Sequence, residues 1–182
     1  MADVDNLCHI VVYVVNNKII GHKIMSFLEK GKVVAVSIGH QKGEKKTNIP
    51  ECKLVVDKGL EDDAHAGNWH RQVSLLAVES IARIKDKGLD VRPGDFAENI
   101  TTKGLKLWDM PIGTLFKVGQ KAIIEVTQIG KECHTRCAIY HQVGDCVMPK
   151  EGIFARVIKG GMIRPDDSIK LLNSVDEFFK KV

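Results

Sequence analysis

Short β-branched runs, each closed by a glycine or another turn residue, recur along most of this chain. Residues 32–38 (Lys-Val-Val-Ala-Val-Ser-Ile) stop at Gly39, and 53–56 run on to Gly59. Further runs cover 72–77, 96–102 (stopping at Gly104), 114–118, 122–129, 153–158 and 168–172. Brief strands at short, regular spacing predict a mainly β fold, a sandwich or a barrel. Helical periodicity is rarer. Val78, Ile81, Ala82 and Ile84 share one helical face, with Gly88 as the stop. A short helix is expected from Ala138 before Gly144. Another is expected over 175–181, with Ser174 as N-cap, acids in its first turn and lysines in its last.

A length of 182 residues suits one domain with one core. The net charge of +4 is too mild for the dense basic stripe of a nucleic-acid binder, and 5% aromatics leave few stacking platforms. Both values allow a small anionic ligand. The first thirty residues open acidic, and their longest apolar run, Ile10–Val15, is too short for a signal core or a membrane span. A cytoplasmic chain with no membrane or nucleic-acid partner is therefore expected. Its five cysteines would stay reduced there. The leading segment fits the strand pattern poorly, so residues 1–24 read as an extension and 25–182 as the functional domain.

The chemistry concentrates at 131–137 (Lys-Glu-Cys-His-Thr-Arg-Cys). A thiol beside a cation ionises more readily, and the thiolate is the form that attacks sulfur or binds metal. Arg136 directly precedes Cys137, and His134 lies three residues before it. Cys137 is thus the first candidate, with Arg136 keeping it ionised and Cys133 as a possible resolving thiol or a bystander. The alternative for Cys137 is a buried structural thiol. A rival reading gathers Cys133, His134, Cys137, His141 and Cys146 around zinc, although no paired Cys-x-x-Cys spacing supports it.

Other polar residues stand out by position. Glu98 and Asn99 interrupt a strand-like run, where buried polar groups need partners; Asn99 would donate to a cofactor. Asp63 and His65 would form a hydrogen-bonded pair that orients the imidazole. His70 and Arg71 would offer a donor and a guanidinium fork to a phosphate. Arg156 and Lys159 precede Gly160-Gly161, whose backbone N–H groups would cradle an anion; Arg164 reads as surface. The lysine-rich loop 41–50 (Lys42, Lys45, Lys46) reads as a solvated charge run, with an anion-contacting lid as the alternative.

Several segments together resemble the MOSC family, the domain found at the C-terminus of molybdenum-cofactor sulfurases, in its stand-alone bacterial form. Residues 59–67 (Gly-Leu-Glu-Asp-Asp-Ala-His-Ala-Gly) are similar to its Gly-Leu-x-Gly-Asp-x-His element, with 70–76 following. Residues 92–100 (Arg-Pro-Gly-Asp-Phe-Ala-Glu-Asn-Ile) resemble its Gly-Asp-x-x-Glu-Asn-Ile segment. Cys137 falls where members carry their reactive cysteine, and 152–161 and 163–165 resemble the late strand and closing turn. The likeness spans Gly31 to Leu172. Asp62 stands where glycine is usual and Asp166 where a Pro-Gly-Asp turn is expected, which would alter turn geometry.

The resemblance implies a closed, mostly antiparallel β-barrel with short peripheral helices. It also implies an association with the molybdenum cofactor (molybdopterin), in which Cys137 either carries sulfur as a persulfide or ligates molybdenum. Pyridoxal phosphate would belong to a partner, such as a cysteine desulfurase or a cofactor-biosynthesis protein. Three functions follow as expectations: a sulfur carrier, a molybdenum-dependent reductase of N-hydroxylated compounds served by an electron-donor protein, and a non-catalytic cofactor binder.

Overall fold

The structure, a computed structural model, describes residues 10–15, 18–24, 30–131, 133 and 137–172. The segment expected as a C-terminal helix, and His134 and Arg136, lie outside these residues. In chain order the strands begin with β1 (Ile10–Val15) and β2 (Lys18–Ile24), an antiparallel pair forming a sheet of their own. Next come β3 (Lys30–Ile38), β4 (Thr47–Ile49), β5 (Cys52–Val55), β6 (Gly59–Leu60) and β7 (Val73–Ala77). Helix α1 (Val78–Lys85) leads to β8 (Ile100–Lys103), β9 (Leu115–Val118) and β10 (Ala122–Ile129). Helices α2 (Ala138–Val143) and α3 (Met148–Glu151) precede β11 (Ile153–Lys159), β12 (Gly161–Ile163) and β13 (Ser168–Leu171).

Seven strands close a barrel in the order β3, β8, β7, β11, β10, β9, β13, with β13 pairing back onto β3. Every neighbouring pair in that ring is antiparallel except β7 and β8. A parallel pair cannot be joined by a tight hairpin and needs a crossover. Helix α1 begins that crossover directly at the end of β7. Strand β4 extends the sheet beyond β3, and β5, β6 and β12 form a small second sheet.

Burial explains the apolar runs. Every residue of β7 is buried. Val73, Leu75 and Ala77 point into the barrel with Ile100, Phe116, Ile124 and Ile153. Leu76, on the opposite face, joins a second core outside the barrel with Ile81 and Ile84 of α1, Ile139 of α2, Met148 of α3 and Phe154. A strand covered on both faces reads as continuous rather than alternating. Ser80 of α1 donates to Glu151 of α3 at 2.6 Å, and Arg83 pairs with the same carboxylate. The second core thus fastens all three helices over one side of the barrel.

Three expectations change. Residues 96–99 are not strand: 94–97 form a turn in which Ala97 has a positive φ of 62°, and β8 starts only at Ile100. The turn is set by Glu98, whose buried carboxylate accepts from the backbone of Gly94 (2.7 Å) and Phe96 (3.2 Å) and from Thr101 Oγ1 (2.8 Å). Those local bonds compete with a strand ladder. Secondly, Asp62 and Asp166 keep the left-handed backbone that glycine would supply, at φ 62° and 68°; aspartate is among the few side chains that tolerate it. Thirdly, Gly160 and Gly161 answer a packing need. A Cβ at Gly160 would lie 2.7 Å from Leu54 O, and one at Gly161 2.9 Å from Ala122 N.

Candidate functional site

On the outside of the barrel, beside the second core, lies a cavity of about 440 Å³. Four groups of residues wall it: the lysine-rich loop through Lys46, the loop carrying His65 and Arg71, the turn at 95–97, and Lys131 and Cys133 with Cys137, Ala138 and Ile139 at the start of α2. Phe154 of β11 and Cys146 back it.

A buried polar network ties these segments together from below. Asp63 Oδ2 accepts from Lys46 Nζ at 2.8 Å, from Gly39 N at 3.0 Å and from Asn99 Nδ2 at 3.1 Å. Its other oxygen accepts from His65 N at 3.0 Å. Asn99 also donates to Ser37 O, and its Oδ1 accepts from both the backbone N and Oγ of Ser74 on β7. Both amide protons of Asn99 are therefore engaged within the protein. Its side chain braces the cavity floor, where the sequence suggested a donor to a cofactor.

Lys46 corrects the reading of its loop as solvated. Its side chain is 2% exposed and that of Asp63 1%. Burial pushes the Lys46 ammonium down from its usual range, against the opposing pull of Asp63. Burial alone would raise the Asp63 carboxyl, but the hydrogen bonds from Lys46 and Gly39 outweigh it and hold it below 3.8. Gly94 completes the junction. It has φ 96°, accepts from Lys46 N at 2.9 Å, and a Cβ there would lie 2.4 Å from Lys46 O.

His65 lines the cavity, but its expected side-chain bond to Asp63 is replaced by one from its backbone. Ring Nδ1 stands 3.7 Å from Asp63 Oδ1, beyond hydrogen-bond range, and is buried without a partner among the described residues. Burial, and then the charge of Lys46, lower the imidazole below 6.5, so it is neutral at pH 7. Arg71 also lines the cavity. Its guanidinium carbon sits 4.8 Å from the Trp69 ring centre and 5.5 Å from that of Phe154, and its Nε is buried without a partner among the described residues. Stacked between two aromatic faces, the fork is held in place for an incoming acceptor.

Three thiols share the wall. Cys133 and Cys137 are exposed, and Cys146 is buried. Cys137 is the N-cap residue of α2, and Cys146 follows that helix just after Gly144, whose φ of 69° turns the chain back. Cys146 and Cys137 line the same cavity. Burial, with the neighbouring thiols, pushes Cys146 up to about 11. The sequence named Cys146 only as a ligand of the rival zinc reading; its place in the wall with Cys137 is made by the return of the chain around α2. Among the described residues, no three His, Cys, Asp or Glu side chains are grouped to hold a metal ion; His134, a ligand of the zinc reading, lies outside them.

The remaining candidates lie apart from the cavity wall. His70 Nε2 is 3.0 Å from Gln128 Oε1, on β10. Arg156 pairs across strands with Glu125, Nε to Oε2 at 2.9 Å. Lys159 closes β11 opposite Ile123. Strand β11 carries Arg156 and Lys159 away from the cavity wall, and His70 sits in the loop before β7. Lys131, the first residue of the cysteine-bearing stretch, lines it, and so does Ser74, to which the sequence assigned no role of its own.

Glu98 carries a testable pH signature. Burial raises its carboxyl above 4.5 despite the three hydrogen bonds it accepts. A raised carboxyl contributes stability that is fully present below 4.5 and is lost as pH climbs through the folded-state value. Glu98→Gln sets an amide nitrogen against a backbone donor, at a cost of about 1–3 kcal/mol in acid. Urea unfolding at about pH 4 and about pH 7 is expected to show the gap between wild type and variant narrowing as pH rises. A widening gap would contradict the assignment.

Fold and wall together define a closed β-barrel domain with a thiol-bearing, cation-lined cavity on its outer face. The MOSC domain family model matches residues 62–170, and the chain belongs to that family. Solved structures share the fold. The YuaD protein from Bacillus subtilis superposes with a TM-score of 0.66 at 16% identity, over 78% of this chain and 95% of that one. YiiM from Geobacillus stearothermophilus gives 0.58 at 21% identity, over 79% and 75%. YiiM from Escherichia coli gives 0.58 at 23% identity, over 79% and 70%. No functionally curated protein matches the chain significantly. No helix among the described residues is long and apolar enough to cross a membrane.

Proposed function

We propose that this protein binds the molybdenum cofactor in the outer cavity and carries sulfur to it on Cys137. The observation that carries the reading is the placing of an exposed thiol, Cys137, in the same wall as an aromatic-stacked guanidinium, Arg71, whose buried Nε lacks a partner among the described residues. A volume of about 440 Å³ lies within the usual range for small-ligand sites. The donor set suits an anionic, sulfur-ligated group: Arg71 for phosphate, neutral His65 for a polar edge, and soft thiols for a soft metal centre. When bound, the cofactor would supply a molybdenum centre able to take a sulfur ligand.

The chain's own part is positional and nucleophilic. Arg71 would hold the phosphate, and the Asp63–Lys46–Asn99 floor would keep the walls in register. Cys137 would receive sulfane sulfur from a partner desulfurase, which would hold the pyridoxal phosphate. Such thiols need a reducing compartment, which fits a cytoplasmic chain.

The test is production in a host that makes the cofactor, followed by molybdenum and phosphorus analysis of the purified protein. Near-stoichiometric molybdenum is expected. Arg71→Ala is expected to weaken cofactor retention by about 10- to 100-fold, the loss of a charged hydrogen bond. Wild-type protein free of molybdenum and phosphorus would sink the cofactor half of the reading.

A further inference from the structure

We infer that Cys146 is the resolving thiol of this site: it displaces the sulfur carried on Cys137 as sulfide and leaves a Cys137–Cys146 disulfide. The inference rests on the sulfur-carrier reading of Cys137 and adds how the load is released.

Three facts single out Cys146 from the other thiols. It lines the same cavity as Cys137, brought there by the return of the chain after α2, and the Cys137 thiol is near enough to help raise its own. It is 8% exposed, so a donor protein or free thiol reaches Cys137 before it reaches Cys146. Its position is fixed by the second core, between Ile139 of α2 and Met148 of α3. Cys133 also lines the cavity but is exposed. Cys52 lies in the barrel core and is directed at the carbonyls of Lys53 and Glu61.

The step balances without an outside oxidant. Cys137 first takes one sulfane sulfur from a cysteine desulfurase or a polysulfide, becoming a persulfide. The Cys146 sulfur then attacks Cys137 Sγ. A bond forms between the two cysteine sulfurs, and the bond from Cys137 Sγ to the outer sulfur breaks. The outer sulfur leaves with that bond's electron pair, and the proton of Cys146 goes to it, giving hydrogen sulfide. The two cysteines are oxidised by two electrons and the sulfane sulfur is reduced by two. A thiol reductant of the thioredoxin or glutathione class reopens the disulfide. Sulfide, rather than sulfane sulfur, is thus what the cavity delivers, and release requires no reductant in the same step.

The test uses the full chain, reduced, freed of small thiols and kept anaerobic. It is loaded with a cysteine desulfurase and cysteine, or with tetrasulfide. Intact mass reads persulfide, a fluorescent probe reads sulfide, and peptide mapping locates disulfides. Wild type is expected to release about one sulfide per persulfide and to accumulate the Cys137–Cys146 disulfide, as the exchange stoichiometry requires. Cys146→Ser is expected to keep its persulfide and release sulfide at least about tenfold more slowly. Mapping of the wild-type disulfide does not depend on how well that variant folds. A disulfide from Cys137 to Cys133, or wild-type release from Cys146→Ser, would overturn the assignment of Cys146 while leaving Cys137 as carrier. Failure of Cys137 to take up sulfur in either protein would overturn the carrier reading and this inference with it.

Discussion

Cys137→Ser is expected to abolish sulfur loading, with persulfide formation by a desulfurase falling about 100-fold or more, because a hydroxyl is a far weaker nucleophile toward sulfur than a thiolate. Stability is expected to change by no more than about 0.5 kcal/mol. Cys137 is exposed at the N-terminus of α2 and makes no side-chain capping bond there. The two readouts together separate chemistry from structure. Loss of loading with an unchanged urea midpoint locates the reactive atom. Loading that persists in the variant, on Cys133 or Cys146, would move the site to another thiol of the same wall.

Asp63→Ala is expected to be the most destabilising single change at the site, at about 3–5 kcal/mol, because it leaves the Lys46 charge buried and uncompensated. The same carboxylate also accepts from Gly39 N, His65 N and Asn99 Nδ2, so its removal orphans donors on four segments. Lys46→Met is expected to cost less, since Asp63 keeps its other three donors. The two midpoints in urea, measured side by side, check the order. A Lys46→Met variant less stable than Asp63→Ala would refute the view that the carboxylate organises the floor. The native contribution of Asp63 is also pH-dependent. Its depressed carboxyl contributes stability that is present above 3.8 and is lost as pH falls through the lower folded-state value.

How much of this was legible in the sequence differs element by element. Strand β10 is found where its β-branched run predicts it, and α1 where the Val78, Ile81 and Ile84 period does. In both, local preference and tertiary burial agree. The run at 96–102 misled because Phe96, Ile100 and two threonines mimic a strand, while the Glu98 carboxylate gathers the backbone into a turn. The polar pair there was a true signal of buried bonding, and both side chains find partners within the protein. Lys46 gave no signal, since a lysine in a lysine-rich loop has the same local pattern whether it meets water or Asp63. Arg156 looked suited to an anion because sequence does not reveal the cross-strand Glu125. The turns at Asp62 and Asp166 would have been expected to deform, yet both hold a left-handed backbone.

The sequence by itself determined the β-rich architecture, the helix after β7, the family and the choice of Cys137. These follow from short-range periodicity, turn residues and motifs that lie within a few positions of one another. Only the tertiary structure decided that the ring closes through β13 on β3, that Asp63, Lys46, Asn99 and Ser74 join under one cavity, and that Cys146 comes round beside Cys137. Those are contacts between residues far apart along the chain or separated by a whole helix. Their partners are set by burial and by the need of every buried polar group for a counterpart, which no local pattern encodes.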